Sequence, residues 1–315
     1  MNLSIQFWAL IFISIFYLSC SKEEETVTKL PQIQMNQIYI TSSSTAIITS
    51  QLISSGNDNV LDQGICWGNF QNPTVKEGFY LSSQSIDTVF QIMITNLKKN
   101  TVYYVRSYIR NSVGISYSNQ KSFTTWDVTD PIKDAEGNIY PTIRIGNQIW
   151  MQENLKSTIY SDGTPIPNTA SKSFKSKNYG LLYTWEAAIK NSTTEKPQGA
   201  CPTGWHIPNN LDWITLESTL AQPLRNGDMM KAYGNEHWLT ENLTADNSSG
   251  FSAIPAGMYD GTQLIESGMK TYFWSSSSYS KTYAWIRSLS AEEAILKTQS
   301  DGDKTKGFSI RCIKN

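Results

Sequence analysis

The residue types most often recruited for chemistry are few in this chain: Cys20, Cys66, Cys201, Cys312, His206 and His237. Their spacing argues against most of that chemistry. No His-x-x-x-His pair and no Cys/His cluster offers tetrahedral zinc ligation. The G-x-S-x-G elbow that would expose a serine nucleophile is absent, and Trp274-Ser275-Ser276-Ser277-Ser278 reads as a strand running into a loop. Cys66 has no histidine in its own half of the chain to act as a base, so it reads as a buried free thiol that packs as a small hydrophobe. His206, within Gly204-Trp205-His206-Ile207-Pro208, has strand-like neighbours and reads as structural. His237 follows Gly234-Asn235-Glu236 in a polar stretch where it can meet a ligand. Asp134-x-Glu136-Gly137-Asn138 matches the front of a calcium loop, yet the twelfth position is Ile145 rather than a bidentate glutamate. Asp301-Gly302-Asp303 reads as a hairpin turn. No catalytic group, metal or cofactor is expected.

The first nineteen residues, Met1 to Ser19, carry no charge and are apolar from Leu3 to Leu18 apart from Ser4, Gln6 and Ser14. A membrane-spanning helix needs about 20 such residues. The run therefore predicts a signal peptide over 1–19 rather than a retained anchor. Ser19-Cys20 resembles a relaxed lipobox, which implies lipidation of Cys20 by diacylglyceryl and palmitate-type chains. At about 0.8 kcal/mol per buried methylene, several chains make such an anchor permanent. Residues 20–28 form an acidic tether. Its Ser21-Lys22-Glu23-Glu24-Glu25 is similar to the signal that sends lipoproteins of one Gram-negative phylum to the outer face of the outer membrane. With a formal net charge of −1 and 17% charged residues, the chain has no field for nucleic acid.

Residues 29–125 read as an all-β sandwich of about seven short strands. Phe90, Ile92 and Ile94 alternate with Gln91, Met93 and Thr95, the period of a half-buried strand. Tyr103, Val105 and Ile109 fall on one face of another strand; Tyr104, Arg106, Tyr108 and Arg110 fall on the other. Residues 126–133 read as a short stiff linker. The texture then changes over 134–315. Strands are expected at Ile139–Ile145 and Gln148–Gln152 around Gly146-Asn147. A helix is expected over Tyr179–Lys190 (Leu182, Trp185, Ala188, Ile189). A second runs over Leu211–Leu220 (Leu211, Ile214, Thr215, Leu216), with Asn209 or Asn210 as N-cap. Later strands are expected at Tyr272–Ser275, Tyr283–Ser288 and Gly307–Ile313. Cys201 and Cys312 are the only cysteines of this second domain in an exported chain, which predicts a disulfide.

Leu97-x3-Thr101-x-Tyr103-x-Val105-Arg106 resembles the end of a fibronectin type III domain, in which the tyrosine makes a corner hydrogen bond to backbone near the leucine. Ile65-Cys66-Trp67-Gly68 with Asn72-Pro73 is similar to a version found in bacterial surface lipoproteins. In the second domain four motifs follow in order. They are Asp134-Ala135-Glu136-Gly137-Asn138 through Gln148-x-Trp150-Met151-x-Glu153-Asn154-Leu155; Tyr179-Gly180-x2-Tyr183-x-Trp185; Cys201-Pro202-x-Gly204-Trp205-His206-x-Pro208; and Gly307-Phe308-Ser309-x-Arg311-Cys312. Together they resemble the Fibrobacter succinogenes major paralogous domain. Pro208-x4-Trp213-x2-Leu216-Glu217 and the chain's ending also resemble the formylglycine-generating branch of the C-type-lectin-like fold. That likeness implies an α+β C-type-lectin-like second domain. The copper-binding reactive cysteine pair of that branch is the rival to a structural disulfide.

The expectation from these resemblances is a lipid-anchored, non-catalytic binding or adhesion module for an extracellular glycan or protein. The ligand face is expected between Arg225 and Tyr272, at His237, Trp238, Tyr259 and Asp260, where the loops are long and polar. The rivals are a structural or assembly subunit of a surface appendage and, less well supported, an extracellular enzyme.

Overall fold

A computed structural model describes residues 27–167, 179–239 and 242–315. The expected leader over 1–19, Cys20 and the acidic run to Glu25 lie outside the described residues. No described helix is long and apolar enough to cross a membrane.

The first eight strands are β1 (Gln32–Ile40), β2 (Ala46–Ser54), β3 (Asp62–Gly68), β4 (Phe79–Ser82), β5 (Val89–Ile94), β6 (Val102–Arg110), β7 (Ile115–Tyr117) and β8 (Lys121–Thr124). They make a sandwich: one sheet ordered β1-β2-β5, the other β4-β3-β6 with β7 and β8 following one another along the far edge of β6. The alternation expected in β5 holds, with Phe90, Ile92 and Ile94 inside and Val89, Gln91 and Met93 outside. Ile48, Ile65, Ile94, Val105 and Ile109 are solvent-free at the centre. There the hydroxyls of Ser50 and Ser107 satisfy each other across the sheets at 2.6 Å. The tyrosine corner forms: the Lys98 N–H donates to the Tyr103 hydroxyl oxygen at 3.0 Å. Tyr108 departs from its expected solvent face. It is buried because Gly64 opposite it has no side chain, and its ring fills that space while its hydroxyl meets Ser82 and Asp62.

The segment expected as a linker is a strand. β9 (Asp127–Lys133) pairs with β10 (Ile139–Ile145), and its Val128 and Ile132 pack on the second domain's core. Then come β11 (Gln148–Met151), β12 (Leu182–Tyr183), α1 (Trp185–Ile189), β13 (Trp205–His206), α2 (Asn210–Leu220) and α3 (Asn226–Met230). The chain ends with β14 (Met258–Tyr259), β15 (Leu264–Ile265), β16 (Lys270–Ser278), β17 (Tyr283–Ser290), β18 (Lys297–Asp303), β19 (Phe308–Ser309) and β20 (Ile313–Lys314). One sheet is ordered β13-β20-β11-β10-β9, another β12-β19-β16-β17-β18, and β14-β15 is a separate hairpin. Strands dominate and helices are few.

The helix expected over Tyr179–Lys190 shrinks to five residues, because Leu182–Tyr183 pair with β19 and Lys190 turns left-handed at φ 55°. α2 keeps its expected length. Its N-cap is Asn209, in a capping box with Asp212. Its inward face is Trp213, Leu216 and Leu220, so Leu211 and Ile214 point to solvent. Asp301 and Gly302 lie inside β18 rather than in a turn. The turn follows at Asp303, whose carboxylate accepts from the Thr305 N–H and hydroxyl. Arg311 is buried without a carboxylate partner among the described residues. It donates to the Asn154 side chain and to the backbone oxygens of Met151, Phe251 and Ser252, tying the chain's end to both halves of the core.

The two domains meet at Trp126, which packs against both cores and donates its indole N–H to the Asn247 carbonyl at 3.2 Å. Gly250, at φ +71°, lies flat against that indole, and a Cβ there would sit 2.9 Å from the ring. Tyr39 of the sandwich and Tyr233 of the second domain also meet, their rings tilted by 34° with centres 4.0 Å apart.

Candidate functional site

Cys201 and Cys312 are joined, with Cα atoms 5.9 Å apart and a sequence separation of 111. Both are solvent-free within the cluster that holds Trp274 and Phe308. Cys66 is free and buried, as expected, and burial pushes its thiol pKa up to about 11, against the smaller pull of nearby Arg106. His206 is buried too, Nε2 lying 3.1 Å from Asp212 Oδ2 and Nδ1 2.7 Å from Asn315 Oδ1. The Asp134 carboxylate is fully engaged by protein donors: the N–H groups of Glu136 and Asn138, the Asn138 amide and the Tyr140 hydroxyl. Among the described residues no three His, Cys, Asp or Glu side chains gather as a metal site.

The expected ligand face does not assemble. Trp238 is core: it is solvent-free, and its indole N–H donates to the Ala253 carbonyl at 3.2 Å. The stretch read as long polar loops folds onto that core instead. Phe251 packs inside with Trp150 and Trp213, and the buried Lys231 ammonium lies 3.0 Å from Asp228. Asp260 turns its carboxylate on its own hairpin, accepting from the Thr262 N–H and hydroxyl and the Gln263 N–H. Those hydrogen bonds hold its pKa below the ordinary range. Tyr259 is half-buried in β14. His237 is half-buried as well, edge-on to Tyr179 at 5.7 Å. No hydrogen bond or ring contact among the described residues links His237 with Tyr259 or Asp260.

A groove of about 710 Å³ lies elsewhere on the domain. One wall is α1 and the loop after it: Trp185, Glu186, Ile189 and then Asn191 to Glu195. The second wall is Asn209 and Leu211 at the start of α2, and the floor is Ser276 to Ser278 at the end of β16. Each wall is fastened to the floor. The Ser276 N–H donates to the Pro208 carbonyl at 2.8 Å and its hydroxyl to the Glu195 carbonyl at 3.2 Å. The Asn210 N–H donates to the Ser277 hydroxyl oxygen at 2.9 Å, and the Trp185 indole N–H to the Ser275 carbonyl at 2.9 Å. Behind the α2 wall, Asp212 accepts from the Asn209 N–H, faces His206 and lies 3.5 Å from the Lys196 ammonium. Burial is the largest influence on its pKa and raises it. The hydrogen bonds from His206 and Asn209 and the charges of His206 and Lys196 together outweigh burial and hold the carboxyl below its usual range.

The groove is rich in hydroxyls and amides, with two carboxylates and three apolar side chains, and among the described residues no Lys or Arg lines it. Glu186 and Glu195 are exposed, and their carboxylates accept no hydrogen bond from a described residue. Lys304 stands behind Trp185, its ammonium 4.0 Å from the ring centre and anchored on the Ser278 hydroxyl and the Ser280 carbonyl. Neither histidine reaches the groove, so its serines have no imidazole base. The arrangement is suited to holding a polar ligand by many neutral hydrogen bonds. Its parts come from three stretches, 185–195, 209–211 and 276–278, far apart along the chain, which is why sequence reading missed it. The visible signals, the Ser275–Ser278 run, Trp185 and the Asn209 cap, read singly as loop, core and helix start.

The family model described as the Fibrobacter succinogenes major domain matches residues 143–314. No curated protein matches the chain. Solved structures similar to part of it include the sensor domain of the anti-sigma factor RsgI4 of Pseudobacteroides cellulosolvens, at 17% identity over 31% of this chain and 97% of that one, TM-score 0.24. The third fibronectin III domain of the human KIAA0343 protein is 17% identical over 34% and 92% of the two chains, TM-score 0.24. The sixth fibronectin type III domain of human fibronectin type III domain containing protein 3 is 18% identical over 34% and 90%, TM-score 0.24.

Proposed function

The chain belongs to the Fibrobacter succinogenes major domain family, and on that premise we propose that it is a surface-anchored, non-catalytic binding or adhesion module. In this reading Cys20 carries the lipid, and the protein sits on the outer membrane facing the exterior. A fibronectin type III-like sandwich spaces a C-type-lectin-like second domain from the membrane. The ligand is an extracellular glycan or protein held in the groove between α1, α2 and β16. The observation that carries the reading is that groove: a fixed, hydrogen-bonding concavity whose residues include no nucleophile–base pair.

The test has two arms. Cells should incorporate labelled palmitate into the wild type and not into Cys20→Ala. Purified chain should bind a glycan array or pull down a surface protein, and Leu211→Arg, at an exposed groove position, should lose that binding while keeping its melting temperature. Turnover of the bound ligand, or binding indifferent to Leu211→Arg, refutes the reading.

One observation favours the second reading, a subunit of a surface assembly. β4 is a sheet edge whose Phe79, Tyr80 and Leu81 are all exposed, and such an edge invites pairing with another chain. Loss of a native complex on Leu81→Lys, with groove variants unaffected, would select it.

A further inference from the structure

We infer that the groove takes a neutral carbohydrate, with Glu186 and Glu195 as acceptors for its hydroxyls and Trp185 and Leu211 covering its C–H faces. This rests on the binding-module reading above and narrows it to one class of ligand. The argument starts from charge. A ligand bearing carboxylate, sulfate or phosphate would have to overcome Glu186 and Glu195, which calls for cations beside them. Among the described residues no Lys or Arg lines this groove, and the two acidic side chains that do would repel it.

Lys304 does not donate into the groove. Its three donors are directed at the Ser278, Ser280 and Lys281 oxygens, and its ammonium stands against the Trp185 ring. A wholly apolar ligand is excluded from the other side. It would strip water from the Thr193 hydroxyl and the Asn191 amide, which have no described side-chain partner, and from the spare lone pairs of Ser192, Ser276 and Ser277.

A sugar ring satisfies both constraints. It presents hydroxyls around its rim, each both donor and acceptor, and C–H groups on its faces. The serine and threonine hydroxyls of the groove can answer either role, since each has one proton and two lone pairs. Those already bonded within the protein keep lone pairs in reserve: the Ser276 hydroxyl donates to the Glu195 carbonyl, and the Ser277 hydroxyl oxygen accepts from the Asn210 N–H. The Glu186 and Glu195 carboxylates are pure acceptors with no described donor. A carboxylate taking two sugar hydroxyls makes the stronger, charge-assisted kind of hydrogen bond without needing a charged ligand. Leu211 is 67% exposed although its helix neighbours Asp212 and Trp213 are buried, so an apolar side chain stands at the lip of a polar groove. Covering it is worth affinity that solvent does not return.

The rival ligand is a cationic peptide, which the two glutamates would also attract. Salt separates the two, because neutral hydrogen bonding is nearly insensitive to ionic strength and ion pairing is not.

The experiment is affinity electrophoresis and calorimetry of the full chain against neutral polymers (β-glucan, mannan, xylan), acidic ones (polygalacturonate, alginate) and oligolysine, at low and high salt. Expected are retardation by at least one neutral polymer, unchanged between the two salts, and none by the acidic ones. Glu186→Gln combined with Glu195→Gln should weaken binding by about tenfold or more, with the melting temperature unchanged because both residues are exposed. Binding to acidic polymers, salt-sensitive binding to oligolysine, or neutral-polymer binding indifferent to the double variant overturns the inference. Capture of a protein that is lost on Leu211→Arg, with no polymer bound, overturns the neutral-sugar assignment and leaves the binding-module reading standing. Binding to nothing overturns both.

Discussion

Replacing Cys201 and Cys312 together by alanine should lower the melting temperature of the second domain by about 12 °C, and most of that effect arises in the unfolded chain. The bridge closes a loop of 111 positions. On the chain-entropy relation, a loop near that length removes about 4.7 kcal/mol of freedom from the unfolded state. Unfolding a domain of this size carries an entropy of roughly 0.4 kcal/mol per kelvin, which converts the one figure into the other. Native packing changes little, since alanine keeps the backbone and Cβ of two solvent-free residues and only two sulfur atoms are lost. The assay is paired thermal and urea unfolding of wild type and double variant, followed by tryptophan fluorescence. If the loop argument holds, the urea dependence steepens in the variant, because an uncrosslinked unfolded chain exposes more surface. A drop of less than about 4 °C, or a full drop with an unchanged urea slope, refutes the reasoning. Stabilisation would then lie in native contacts instead.

Three further outcomes are expected. Cys66, with its pKa pushed to about 11 by burial, should resist alkylation at pH 8 in the native chain and react fully in denaturant; native-state labelling would contradict its burial. Trp238→Ala should destabilise the second domain by about 3 to 5 kcal/mol, whereas Tyr259→Ala, at a half-buried position, should cost far less in the same unfolding experiment. Asp212 has a folded pKa below its unfolded one, so its contribution is present above the ordinary carboxylate range, about pH 4, and is lost as pH falls through the lower folded value. Asp212→Asn should therefore flatten the fall in stability between pH 5 and about pH 2, and an unchanged slope there would place the acid-sensitive group elsewhere.

Local patterns survived folding where one element's own periodicity decides burial. β5 alternates as its sequence does, the Asn209–Asp212 capping box stops the chain and starts α2, and the two cysteines of the second domain find each other. Patterns failed where a distant element decides. Tyr108 is inside because of a glycine on the neighbouring strand. The 126–133 stretch becomes a strand because β10 offers it an edge, although Pro131 and two aspartates read as linker. Trp238 sits in a run of glycine, asparagine and glutamate that looks like a loop rim, yet its indole finds the Ala253 carbonyl in the core. The groove was invisible for the same reason: each contributing stretch has an ordinary local explanation, and only the hydrogen bonds of Ser276, Ser277 and Trp185 bring the three together.

The junction at Trp126 has a mechanical consequence. β9 starts at Asp127, one residue beyond Trp126, and is hydrogen-bonded along β10. A pull between the sandwich and the second domain therefore runs through β9 with no slack segment between Trp126 and that strand. Force directed along that strand is shared by the β9–β10 hydrogen bonds at once instead of opening them one by one, and the Trp126 indole against Gly250 resists the bending that would peel them. Such a connection behaves as a stiff strut under load: it would transmit a tug from the sandwich to the second domain promptly and without the give of a flexible hinge.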